Sequence, residues 1–330
     1  MPIQRRHLLG LTAAAALPAL GGCANPLPLA VAEPGGRDAQ AQRWLRESAE
    51  RHGDAAYKAL NDINVAYAGR WRALIDRIQP EVVDKPWRAA SEERLLPRAG
   101  VIAQAHRGPS GRKQVFRRSG TSAQELGEVK VWYEDEARAE EVSGPRAAVR
   151  TEGRADAGAE VRTDESPKVL AAAALVADCY QLFLLGPLWL ADRAERGAWP
   201  LTLGGRVEVE GRECQWVQAW ARPGFGLVEL DRVALAIDVA DRTTRRMQFT
   251  LEGFEGTRGA VAETDSYEHE MRHGVLWPMR SHERVVRPLA GYGVHDWHIT
   301  GLDVNRGYDV QALRGAQFSG AAAAPAQARR

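Results

Sequence analysis

The sequence predicts an α+β fold, a large antiparallel β-sheet with helices packed against it. Three observations carry this: apolar residues alternate with period two over most of the chain, turn signals recur at a spacing of roughly ten to fifteen residues, and helical periodicity is confined to two stretches. The first helical stretch lies between Asp38 and Asn61, where Trp44, Leu45, Ala49, Ala56 and Leu60 recur at helical spacing behind Asp38 as N-cap, predicting one amphipathic helix. The period then changes. Ile63, Val65, Tyr67, Gly69 and Trp71 alternate with polar or small neighbours as in a half-buried strand. Strands are predicted over 101–106 and 113–118 around a turn at Gly108-Pro109-Ser110-Gly111, and again over 129–133. The charged stretch 134–165 reads as a solvated loop or insertion.

The second helix is predicted over 166–185. Ser166 can cap it, Pro167 suits its first turn, and Ala172, Leu175, Val176, Cys179, Leu182 and Phe183 form a stripe that ends at Gly186-Pro187. Downstream the strand pattern resumes over 206–209, 213–221, 227–239, 245–254, 261–271, 276–286 and 294–304, with turns at Asp241-Arg242 and His273-Gly274.

The chain begins as a lipoprotein signal. Arg5 and Arg6 precede an apolar stretch from Leu8 to Leu20, and small residues lead to Cys23. Leu20-Gly21-Gly22-Cys23 resembles the bacterial lipobox, which implies cleavage before Cys23 and lipidation of its thiol, hence a membrane anchor in the cell envelope. Ala24, in place of the aspartate that retains such proteins at the inner membrane, favours the outer membrane, with the body facing the periplasm. The arginine pair fits either a twin-arginine signal or an ordinary secretory one. Residues 24–36, rich in proline and glycine, read as a flexible tether, 37–313 as a single domain, and 314–330 as a disordered tail.

Composition narrows the function. With 44 basic and 43 acidic side chains intermixed, there is no basic stripe for nucleic acid, so none is expected as a partner. Beyond Cys23 the chain holds Cys179 and Cys214, which in an oxidising periplasm either pair or stay as thiols, according to whether their Cα atoms come within bonding range.

A helix, long meandering strands, a second apolar helix midway and further meander with Gly274-Val275-Leu276-Trp277-Pro278 resemble the LolA/LolB-like superfamily of lipoprotein-sorting proteins. The Asp231-to-Asp241 and Phe249-to-Phe254 segments add to the likeness, which spans about residues 37–310. The resemblance implies a curved sheet, an incomplete or half β-barrel covered by helices, enclosing a cavity for acyl chains, with a lipid or an acylated protein as partner and no cofactor. The chain is longer than the classical carrier and receptor of that family.

The candidate lining is Leu182, Phe183, Leu185, Leu188 and Trp189, in a run apolar on all sides of a helix end, with Trp216 and Trp220 from a strand. Trp132 and Phe249 lie in strands and could join the same lining. The same run also reads as a plug of the barrel core, and ten tryptophans need no ligand to account for them.

One motif points elsewhere. His269-Glu270-Met271-Arg272-His273 matches H-E-x-x-H, in which a helix turn brings two imidazoles to one zinc and the glutamate acts as base. Here Gly274 follows at once and Glu268 and Arg272 stand where zincin helices carry apolar residues, so a hairpin is predicted. On a strand, residues four apart are separated by about 13 Å, too far for one ion. A sheet-face cluster of His269 with His282 and His295 or His298 is limited because His295 and His298, three apart, point to opposite faces. No nucleophile elbow, phosphate loop or dinucleotide fingerprint occurs, so no catalytic or metal-binding residue is assigned. The expected function is non-catalytic binding of an apolar ligand, with a zinc hydrolase built on His269, Glu270 and His273, or a purely structural envelope lipoprotein, as alternatives.

Overall fold

A computed structural model of the chain describes residues 27, 33–72, 75–78, 90–107, 111–118, 128–135, 151–154, 160–164, 167–253, 258–287 and 291–314. Cys23, expected to be lipidated, residues Gly108-Pro109-Ser110 of the predicted turn, Phe254 and the residues from 315 onward lie outside them.

The strands are β1 (Ile63–Trp71), β2 (Ala90–Leu96), β3 (Val101–Arg107), β4 (Gly111–Arg117), β5 (Glu128–Asp135), β6 (Thr151–Arg154), β7 (Glu160–Asp164), β8 (Leu201–Val209), β9 (Arg212–Ala221), β10 (Asp231–Asp238), β11 (Thr244–Thr250), β12 (Val261–Arg272), β13 (Val275–Arg287) and β14 (Tyr292–Val304). They form one antiparallel sheet of fourteen strands in the order β6-β7-β5-β4-β3-β2-β1-β14-β13-β12-β11-β10-β9-β8. The first and last strands meet in the middle, Ile63 opposite Val304 and Trp71 opposite His295. The edges, β6 and β8, do not pair, so the sheet stays open.

That order fixes where the helices go. The chain leaves β7 near one edge and must reach β8 at the other. It crosses through α4 (Pro167–Leu185) and α5 (Pro187–Arg196), which therefore cover one face, here called inner. The N-terminal helix α1 (Ala39–Arg51) packs on α5, β8 and β9, and the short α2 (Asp54–Ala59) on β13. A further turn of helix, α3, spans Ile75–Ile78.

Several expectations hold in detail. The Asp38 side chain caps α1, accepting from the Gln40 and Ala41 amides at 2.7 and 3.1 Å. His273 (φ 52°) and Gly274 (φ 75°) form the two-residue turn of the β12–β13 hairpin, both in the left-handed region such a turn requires.

Others are corrected. The single helix predicted over 38–61 is broken after Arg51, because Gly53 (φ 90°) turns the chain and sits where a Cβ would lie 2.1 Å from the Gly274 carbonyl oxygen. β2, with Glu92, Glu93 and Arg94, was not predicted, since its charged residues hide the alternation. Within the stretch read as a charged loop, 151–154 and 160–164 are the two outermost strands on one side of the sheet, as their lack of an apolar pattern allows. Gly186-Pro187 ends α4, but Pro187 opens α5, where its missing N–H leaves no bond unmade. In the segment read as a tether, Leu27 is buried against Val209, Cys214 and Trp216, and Glu33 pairs with Arg222.

The main core lies between the inner face and α4, with α1 and α5 closing its side. Smaller clusters lie elsewhere, among them one around Leu27 and one where Leu313 packs on Leu96, Val101 and Ala103.

Candidate functional site

The inner face is lined by alternate residues of successive strands, Ile63, Val65 and Tyr67 on β1, Val233, Leu235 and Ile237 on β10, and Trp277, Trp297 and Ile299 on β13 and β14. Against it lies α4, in which every residue from Ala172 to Leu185 except Gln181 is buried. A surface helix needs one apolar stripe. This one is buried nearly all round, in contact with β3, β4, β5, β13 and α5, and by length and composition it could cross a membrane.

Beneath α4 an aromatic cluster gathers. Tyr180 meets Tyr67, Phe183 and Trp297 with ring centres 5.6–5.9 Å apart, and stacks on the His295 imidazole at 6.2 Å. His295 is itself buried and places Nδ1 2.7 Å from Glu283 Oε2. Tyr67, Tyr180, Phe183, Leu184, Pro278, Ser281 and Trp297 surround a cavity of about 10 Å³, room for no more than one water. The Tyr67 hydroxyl, buried in this wall, has no hydrogen-bond partner among the described residues, and burial, with the nearby Glu93 charge, pushes its pKa well above the ordinary phenol value.

Farther along the same face the lining turns polar. Glu93, Gln104 and Gln114 stand opposite one another on β2, β3 and β4. Gln104 donates to Glu93 Oε1 at 2.6 Å, Gln114 to Gln104 at 2.5 Å, and Gln114 Nε2 also to the Ala173 carbonyl of α4 at 3.0 Å. The trough thus runs from an aromatic floor to an amide ladder.

Midway along α4 the helix is held by charge. Asp178, its one buried carboxylate, ion-pairs with Arg118 at the end of β4, and its Oδ1 lies 3.5 Å from Arg193 of α5. The same carboxylate accepts from the Gly226 amide at 2.7 Å. Arg193 lies over the rings of Trp189 and Trp199, 4.5 and 5.2 Å from their centres. Beside this knot opens a cleft of about 210 Å³.

The predicted lining residues separate into two groups. Leu182, Phe183, Leu185, Leu188 and Trp189 come together in the inner-face core, and Trp189 also borders the cleft. Trp216 packs on the outer face with Leu27, Val209 and Cys214. Trp220, buried and four positions on along β9, points to that same outer face, away from α4. An alternating strand offers its odd and even positions to opposite sides, and Gln215, Val217, Ala219 and Ala221 are the ones that turn inward. Phe249 does join the inner core, against Phe183 and Phe225. The side chain of Trp132 lies outside the description.

Placement on opposite sides of the sheet answers the cysteine question. Cys179, on α4, faces the inner core and Cys214 the outer face, so no disulfide joins them.

His269 and Glu270 lie on strand β12 and His273 at its turn, so the zincin reading lacks its helix. His269 faces His52 instead, with ring centres 5.9 Å apart, and burial holds the two imidazoles down to about 4 and about 3. His52 Nε2 accepts from the Thr244 amide at 3.1 Å, so the pair serves as neutral packing between α1 and the sheet. His282 pairs with Asp296, and His295 and His298 face opposite sides. Among the described residues no three His, Cys, Asp or Glu side chains gather as metal ligands.

Sequence reasoning missed Tyr67 as a wall residue, the amide ladder and the arginine cleft. The run of Gln and Glu at alternate positions of β2 to β4 is visible in the sequence, but its inward direction is not.

No family model matches the chain, and no curated protein does. Among solved structures it is similar to a DUF1329 family protein from Desulfovibrio piger (10% identity, TM-score 0.44), to a putative outer membrane lipoprotein-sorting protein domain from Vibrio parahaemolyticus (8%, 0.37) and to a LolA superfamily protein from Nitrosomonas europaea (11%, 0.37). Each likeness covers 83% of this chain and 97% of the other.

Proposed function

We propose that this is a lipid-anchored protein of the cell envelope, held through Cys23 at the outer membrane and facing the periplasm. Its body takes up an apolar ligand, a lipid or the acyl chains of a lipoprotein, between α4 and the inner face of the sheet. The observation that supports this most is the way the inner face is closed. Strands do not close it. One crossover helix, apolar all round, lies over an aromatic floor that holds a small cavity.

Lifting α4 bares two apolar surfaces at once, at a cost of about 25 cal/mol per Å² of apolar surface exposed to water. An acyl chain laid between them offsets that cost. The Tyr67 hydroxyl is then a donor for a ligand's carbonyl or headgroup oxygen. Binding and release would proceed without covalent chemistry.

Native mass spectrometry of the full chain carrying Cys23→Ser, made in the periplasm, tests this. A bound acyl species is expected, with occupancy falling in Phe183→Glu and Leu185→Glu and unchanged in Glu270→Gln. A protein that carries no such species and takes up no fluorescent fatty acid would leave α4 as the core of a structural protein.

A further inference from the structure

The cleft beside Asp178 carries more positive charge than its own acids neutralise. Its described walls hold Arg98, Arg117, Arg118, Arg193, Arg196 and Arg222, against Asp178 and Asp192. Glu33 and Glu229 reach Arg222 from outside the walls, at 2.6 and 3.0 Å, which still leaves six cations to four anions. Asp178 alone serves both Arg118 and Arg193, and Asp192 is taken by Arg196.

The deepest arginine is not satisfied. Arg118 is 9% exposed and uses Nη2 three times, on Asp178 and on the Gly224 and Gly226 carbonyls at 2.9 and 3.1 Å. Its Nε and Nη1 have no hydrogen-bond partner among the described residues. Unmade bonds to a buried guanidinium are costly unless a ligand or ordered water makes them. Burial, together with repulsion from Arg118, holds Arg193 down to about 9, the mark of two cations crowded with too little counter-charge.

We propose that this cleft binds a phosphate group, presented either by the headgroup of an anionic lipid or by free phosphate. Planar guanidinium forks match the oxygens of a phosphate two at a time, and several arginines meeting from β4, α5 and the segment after β9 are the arrangement such a dianion or diester needs. The inference stands whether or not an acyl chain enters under α4. If one does, the cleft lies at the α5 end of that helix, where Trp189 belongs to both sites, so one amphiphile can fill the two.

The test uses the full chain with Cys23→Ser. Calorimetry with inorganic phosphate and sedimentation with phosphatidylcholine vesicles, with and without phosphatidic acid, separate the two sources. Saturable binding of either probe is expected, weakened by at least about tenfold in Arg118→Lys, which keeps the charge and loses the fork. Arg117→Gln, an exposed position on the same wall, should weaken it too, and guards against a folding defect in the first variant. Binding of phosphate in solution assigns a free anion, and binding confined to phosphatidic acid vesicles assigns a headgroup. Binding of neither probe, or binding equal in both variants and the parent, overturns the proposal.

Discussion

Asp178, buried in the middle of a largely apolar helix, is paired with Arg118 from the end of β4, sixty residues away along the chain, and lies beside Arg193 of α5. The pair ties the middle of the crossover helix to the sheet, and the Gln114 bond to the Ala173 carbonyl adds a second tie five residues earlier. From Leu182 to Leu185 the helix rests on apolar contact.

Asp178→Ala should therefore destabilise the protein by about 3–5 kcal/mol, since it leaves two guanidinium groups buried without their shared anion. Urea unfolding measures it. A loss under 1 kcal/mol would mean that the carboxylate does not anchor α4.

Gly53→Ala should lower the melting temperature by several degrees. The new methyl carbon would start 2.1 Å from the Gly274 carbonyl oxygen, at a φ of 90° that alanine avoids. Differential scanning calorimetry checks it, with Gly211→Ala as a milder control, where the turn is left-handed but nothing lies within 4 Å.

Stability should fall in acid through His52 and His269. Both fold as neutral imidazoles with pKa values lowered to about 3 and about 4, against 6.5 in the unfolded chain. Below pH 6.5 the unfolded state binds protons that the folded state refuses, so their contribution is complete above pH 6.5 and is lost as pH falls toward 4 and then 3. As pH falls from about 7.5 to about 4.5, across the upper part of that window, urea midpoints should drop less steeply in His269→Gln than in the parent. Equal slopes would place the acid sensitivity elsewhere.

The two body cysteines should titrate as free thiols on unfolding of the Cys23→Ser chain, with no change in mobility on reduction. In the native state Cys214 should react slowly at pH 8, because burial and then the Asp238 charge push its pKa up to about 11. Rapid labelling of Cys214 in the folded protein would contradict its place beneath Leu27.

Phe183→Ala should cost about 3–5 kcal/mol, as for a large aromatic removed from a packed core, and should enlarge the cavity under Tyr180. If that site accepts acyl chains, the variant gains affinity for a fatty acid probe while losing stability, and a change in stability alone would argue for a core that only fills itself.

Elements whose residues repeat with the period of their own geometry were legible in the chain alone. The alternation at Ile63, Val65 and Tyr67 made β1, the stripe from Ala172 to Phe183 made α4, and His273-Gly274 made a hairpin turn, because each signal is local and each backbone conformation has its own period. Where charge masked the period, as in Glu92-Glu93-Arg94, a strand went unseen. Which side of each strand faces α4, and what meets there, depended on packing across the whole sheet. Period two says that Trp216 and Val217 part company, but not which of them turns inward, since that depends on the crossover from β7 to β8 covering one face of the sheet. The arginine cleft was invisible for the same reason. Arg98, Arg118, Arg193 and Arg222 come from four separate segments, and only the path of the chain across the sheet brings their charges to one wall.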